Sequence, residues 1–156
     1  MLLGFNLLLW TIHVTEEHFP IFEELKKTGY DGIEIPLFDG APEHFEKIGQ
    51  AARDNGLRTT AVCVMPDEAH DCLSDNPGIQ DAAFDHIKWA IDCLDAAGGE
   101  VLCGPFHQPL GIFSGDPPTV QQRANMVSVH KRAAAYAAER NIKLGVEPLN
   151  RFECYV

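Results

Sequence analysis

The stretch "IKLGVEPLNRFE", Ile142 to Glu153, passes from an apolar segment into a proline and then into a loop, with two carboxylates, Glu147 and Glu153, six residues apart. Three earlier segments have the same form. "YDGIEIP" stops at Pro36, "LRTTAVCVMP" at Pro66 and "EVLCGP" at Pro105, so that with Pro148 the prolines stand 30, 39 and 43 residues apart. Each is a short apolar run bounded by turn residues, the pattern of a buried strand. With the opening "MLLGFNLLLW", read as a first core strand, the chain holds five strands.

Helical patterns fill the intervals. Phe19, Phe22 and Leu25 fall at helical spacing behind Thr15 as a cap, and Gly29 stops that helix. A second helix is expected across residues 41–55, ending at Asn55 and Gly56. The third opens at Asp75 or Asn76, has Pro77 in its first turn, and sets Ile79, Ala83, Ile87, Ile91 and Leu94 on one face before Gly98 and Gly99. The fourth runs from Thr119 to Arg140. Strands alternating with helices form a parallel sheet joined by right-handed crossovers.

Two α/β architectures have this beat. A doubly wound five-strand sheet needs a covering helix after its last strand and a phosphate-cradling glycine loop after its first. Neither is present: only eight residues follow Pro148, and "FNLLLWTIH" carries no G-x-G-x-x-G. A TIM-type (β/α)8 barrel fits better, because polar and reactive residues gather at the C-terminal strand ends where barrel sites are built. Eight strands need about 250 residues. The expected fold is therefore an incomplete barrel of five strands and four helices, with residues 1–156 forming the N-terminal part of one domain.

Composition narrows the function. The 156 residues are 46% hydrophobic, enough for a sizeable core. Twelve Lys and Arg against 23 Asp and Glu give a net charge of -11, which argues against nucleic-acid binding and against an anionic membrane surface. The apolar start lacks a basic n-region and a cleavage pattern, and Thr11, His13, Thr15, Glu16, Glu17 and His18 follow it closely, so it reads as a strand and not a signal peptide. No run approaches the ~18 apolar residues of a membrane span. Five cysteines without a C-x-x-C pair fit reduced thiols in a cytoplasmic protein.

Glu147 ends an apolar strand, where a partly desolvated carboxylate calls for a cation or hydrogen-bond donors. A divalent metal answers that need, and so does pairing with Arg151 or a backbone amide. Glu153 taken alone is an ordinary loop carboxylate. Glu34 occupies the matching place on the second strand and reads as a supporting residue, paired because unpaired burial is costly. The seven histidines form no H-E-x-x-H or close ligand pair. His107, just past the fourth strand, is either a substrate hydrogen-bonding group or a plain loop histidine. Cys63 and Cys103 read as small core residues.

"GVEPLNRFE" closely resembles the fifth-strand motif of the D-tagatose and D-psicose (allulose) 3-epimerases, within the xylose-isomerase-like sugar isomerase/epimerase superfamily. "GFNLLLW", "GYDGIEIP" and the order of strands and loops agree with it more weakly. The resemblance covers nearly the whole chain. It implies a TIM barrel with one divalent ion (Mn2+, with Co2+ or Mg2+ as alternatives) held by Glu, Asp, His and Glu on separate strands, and a free sugar as substrate. Glu147 matches the first ligand and also one of two glutamates that exchange the proton at C3. Glu153 matches a contact to the C1–C3 end of the substrate, and Asn6, Cys63 and the loop around Phe106 and His107 match pocket-lining positions. The match departs where Asn6 stands for a tyrosine and Leu110 for a tryptophan, and where the remaining metal ligands fall on strands beyond Val156.

Four functions compete on this reading: a ketose 3-epimerase half-site, another sugar-acid or inositol isomerase or dehydratase of the superfamily, a DNA-repair endonuclease of the same barrel type, and a non-catalytic fragment. The acidic balance and the lack of a histidine-rich cluster weigh against the endonuclease. An open parallel barrel leaves unpaired edges, so association into oligomers or with a complementing C-terminal half is expected of the isolated chain.

Overall fold

A computed structural model describes all 156 residues. Its five strands are β1 (Gly4–Asn6), β2 (Gly32–Leu37), β3 (Arg58–Cys63), β4 (Val101–Gly104) and β5 (Lys143–Val146). The helices between them are α1 (Phe19–Thr28), α2 (Pro42–Asp54), α3 (Pro77–Ala96) and α4 (Val120–Ala138). All strand pairs are parallel and lie in the spatial order β1-β2-β3-β4-β5. A sheet whose order never reverses has no switch point, which excludes the doubly wound alternative and leaves the barrel type.

Local chemistry explains the helix boundaries. Gly29 ends α1 at φ 104°, with its N–H on the carbonyls of Leu25 and Lys26. Asn76 caps α3 by accepting from Gly78 N–H at 2.9 Å, ahead of Pro77 in the first turn. Thr119 and Gln122 form a reciprocal capping box on α4: Gln122 N–H donates to Thr119 Oγ1 at 3.1 Å, and Thr119 N–H donates to Gln122 Oε1 at 2.8 Å.

Strand alternation divides the molecule into two sides. Ile33, Ile35 and Leu37 of β2, Ala61 and Cys63 of β3 and Leu102 of β4 join the helix faces in one buried cluster of 28 residues. From α3 it takes Ala83, Ile87, Ala90, Ile91 and Leu94, a stripe at helical spacing. Glu34, Thr60, Cys103 and Gly145 take the opposite, barrel-interior side because side-chain direction reverses at each strand residue.

Two strands differ from expectation. The opening run is not a continuous core strand: only Gly4–Asn6 pair, and Leu2, Leu3 and Leu9 are exposed. Asn6 ends the strand, its Oδ1 accepting from Leu8 N–H at 2.8 Å and turning Leu7–Leu9 into a 3-10 helix. Pro36 lies inside β2, not at its end. It is tolerated there because β1 has already stopped at the level of Glu34, leaving β2 paired on one side alone.

Candidate active site

The loops that follow β3, β4 and β5 meet at the C-terminal end of the sheet. Met65 bridges to Pro109, Gly111 N–H donates to Glu153 O at 2.9 Å, and Glu147 N–H donates to Gly104 O at 2.9 Å. Gly104 makes this close stacking feasible. Its φ is 124°, and a Cβ there would lie 2.2 Å from Cys63 O.

Glu147 follows β5, two residues beyond Gly145, which is in register with Cys103. It therefore shares the interior side with Cys103. Its side chain is exposed, which corrects the expected partial desolvation: β5 is a sheet edge here, with no neighbour on its far side. The alternative of an ion pair with Arg151 is not realised. Arg151 lies over the Phe152 ring, 5.1 Å from its centroid.

Glu34 is paired on the interior side by side chains of two other strands. Asn6 Nδ2 donates to its Oε1 at 2.7 Å and the Cys103 thiol donates to its Oε2 at 2.8 Å. The supporting role expected from pairing is thus provided by two neutral donors from β1 and β4. Burial, followed by the Glu34 hydrogen bond and the charges of Glu34 and Glu147, pushes the Cys103 thiol up to about 12, so it stays a protonated donor at neutral pH. The apolar context of Cys103 predicts a core position. The residue instead lies between the two carboxylates, and the signal that could have found it is the parity of β4, where core-facing Leu102 sends Cys103 inward.

The remaining expected site residues divide. Asn6 is at the mouth, but both ends of its amide are occupied by Glu34 and Leu8. Cys63 is not on the interior side. It is fully buried in the helix-facing core, 3.4 Å from His86 Nε2 on α3, and burial pushes its thiol up to about 12. Its parity with Ala61 sends it away from the mouth. His107 is 4% exposed, not a solvated loop residue, and its Nδ1 has no partner. Burial, and to a lesser degree His130, lowers its pKa. It borders a cavity of about 260 Å³ with Arg123, Met126, Val146, Pro148 and Val156. Glu153 is exposed on the last loop, its Oε2 accepting from Asn150 Nδ2. A concavity of about 280 Å³ at the opposite end of the strands, lined by Asp31, Arg58 and Glu100, lies far from these groups.

These residues do not form a metal site on their own. No group of three His, Cys, Asp or Glu side chains is placed to hold an ion. Both oxygens of Glu34 already accept hydrogen bonds, leaving Glu147 as a lone carboxylate where a divalent ion takes several donors.

An unreversed parallel sheet with helices packed along one side and polar groups at its C-terminal end defines a β/α-barrel protein. The chain belongs to the xylose isomerase-like TIM barrel family, whose model matches residues 22–156. It is 34% identical over 127 residues to the L-ribulose 3-epimerase of Methylomonas sp. (strain DH-1), covering 81% of this chain and 44% of that protein. The ketose 3-epimerase of Arthrobacter globiformis is 27% identical, with all of this chain and 54% of that protein covered. The crystal structure of D-allulose 3-epimerase from Methylomonas sp. in complex with D-allulose matches with TM-score 0.87 and 29% identity, over 99% of this chain and 54% of that one. The chain thus spans about half the length of the curated relatives it matches. No helix is long and apolar enough to cross a membrane, and all five cysteines are free.

Proposed function

We propose that this chain supplies the first four βα units and the fifth strand, and with them part of the active site, of an enzyme that epimerises a free ketose at C3. The observation that carries the reading is Glu147, a carboxylate just past the end of β5 on the interior side, in a chain whose similar proteins bear the names of ketose 3-epimerases. Epimerisation breaks the C3–H bond, moves its electrons toward the C2 carbonyl to give an enediolate, and returns a proton to the opposite face of C3. Glu147 is the base that takes this proton on one face, a role suited to a carboxylate within hydrogen-bond reach of the carbon acid. Glu153 binds the C1–C3 end of the sugar, while Asn6 and His107 border the pocket. Cys63 has no direct contact to make, since its thiol faces α3.

A divalent ion, with manganese ahead of cobalt and magnesium, belongs to the whole protein, with Glu147 as one ligand among donors these 156 residues do not supply. Barrel closure by a complementing C-terminal part, or by association with further copies, covers the edges of β1 and β5. The acidic balance fits a small neutral sugar and no nucleic acid, and the reduced cysteines fit a cytoplasmic setting. The test is a ketose panel assayed on the whole protein. Glu147→Gln is expected to lower kcat by about 100-fold or more, since general-base catalysis contributes that much. Undiminished turnover in that variant would remove Glu147 from the chemistry.

A further inference from the structure

We infer that Gln108 is a positioning residue of this site: its side chain latches the loop after β5, and with it Glu153, onto the loop after β4. The inference rests on the ketose 3-epimerase reading. Gln108 is 1% exposed, a rare burial for an amide. Its Oε1 accepts from the N–H groups of Tyr155 (3.3 Å) and Val156 (3.2 Å), and its Nε2 donates to the carbonyls of Pro109 (3.4 Å) and Ile112 (3.3 Å). One primary amide offers two donors and two acceptor lone pairs, so this side chain is fully used.

The chain beyond Val146 has no regular strand or helix, and its place is set by a few bonds. Gly111 holds the Glu153 carbonyl from the β4 side, and Gln108 holds the two N–H groups that follow Cys154, itself 2% exposed. Glu153 is therefore tied at its own carbonyl and again two and three residues further on, both times from the loop after β4, with Gln122 of α4 donating to the Tyr155 hydroxyl at 3.2 Å. Losing one of these ties lets the Glu153 carboxylate wander by distances that matter for binding a sugar hydroxyl. His107 is the immediate neighbour of Gln108, so the latch also joins the two loops that border the cavity.

Gln108→Leu keeps the volume and strands the Tyr155 and Val156 N–H groups. Gln108→Glu restores an acceptor for both and, held protonated by burial against the Pro109 and Ile112 carbonyls, keeps one donor for them. In the whole protein, Gln108→Leu is expected to raise the ketose KM about tenfold with kcat within roughly threefold, and Gln108→Glu to recover most of that loss, because Glu153 binds and does not react. An unchanged KM in folded Gln108→Leu overturns the inference. So does a loss that tracks the folded fraction by circular dichroism, which makes the residue merely structural. If Gln108→Leu fails to fold, Gln108→Glu carries the test, and a KM raised as far as by Glu153→Gln overturns the latch. If the wild-type protein neither binds nor turns over any ketose, the epimerase reading falls. The latch is then read by amide exchange at Tyr155 and Val156, which Gln108→Leu must accelerate; equal exchange overturns it.

Discussion

The Cys103 thiol donates a 2.8 Å hydrogen bond to Glu34 Oε2, joining β4 to β2 across the interior face of β3. The other oxygen of the same carboxylate accepts from Asn6 on β1. One side chain thus ties together three strands of a sheet that is open at both edges. Replacing Cys103 by Ala removes one such bond and is expected to cost about 1 kcal/mol; Glu34→Ala removes both and is expected to cost about 1–2 kcal/mol, since Asn6 is exposed to water and the Cys103 thiol keeps the Ala61 carbonyl at 3.3 Å. Urea unfolding measures both, and equal stabilities would show the carboxylate idle.

Thiol chemistry gives an independent reading of the same contact. Cys103 is only half-buried, yet its pKa rises from an ordinary 9.0 to about 12, with burial first and Glu34 next among the causes. Alkylation proceeds through the thiolate. Labelling of Cys103 by iodoacetamide at pH 7.5 is expected to be slow and to quicken in Glu34→Gln. Mass spectrometry of timed samples decides it, and fast labelling that ignores Glu34 would contradict the geometry.

Burial lowers the pKa of His86, His107 and His130 from 6.5. In the unfolded chain these rings protonate near 6.5, before the folded ones, so the unfolded state binds more protons just below that pH. Their contribution is complete above 6.5 and is lost as pH falls toward the depressed values. Melting temperature is expected to drop between pH 7 and pH 5, and a flat profile would mean that the rings are solvated.

Gly104 is required by both its backbone and its neighbours. At φ 124° a side chain is strained, and a Cβ would collide with Cys63 O. Gly104→Ala is expected to cost at least about 2 kcal/mol, the sum of unfavourable backbone strain and a forced shift of β3. Chemical denaturation tests it, and a neutral substitution would show that the two strands part readily.

The architecture was legible because its signals are local and repeated. Gly29 after α1 and the Ala83–Ile87–Ile91–Leu94 stripe of α3 each act within one element and stand as read, as do the runs that stop before Pro66, Pro105 and Pro148, while Pro36 falls inside β2 and Ile79 lies outside the buried cluster. The site was legible in part. Cys63 and Cys103 are both thiols in short apolar strands, and only the parity of each strand against the helices decides which enters the core. Burial of His107 and Gln108 was hidden for a different reason. It depends on Tyr155 and Val156 folding back from a loop that has no period of its own. Exposure of Glu147 follows from what neighbours β5, which no reading of the β5 residues themselves contains.

The proposed role of Glu147, carrying the C3 proton of a ketose in the whole protein, is accessible to isotope exchange. Its most direct test is to incubate wild-type protein and Glu147→Gln with a ketose in deuterium oxide and read the sugar by NMR. The wild type is expected to place deuterium at C3 of the epimer it forms, and the variant to incorporate it at least about 100-fold more slowly. Epimer formed without deuterium at C3, or label entering C3 equally fast in both proteins, would contradict that role.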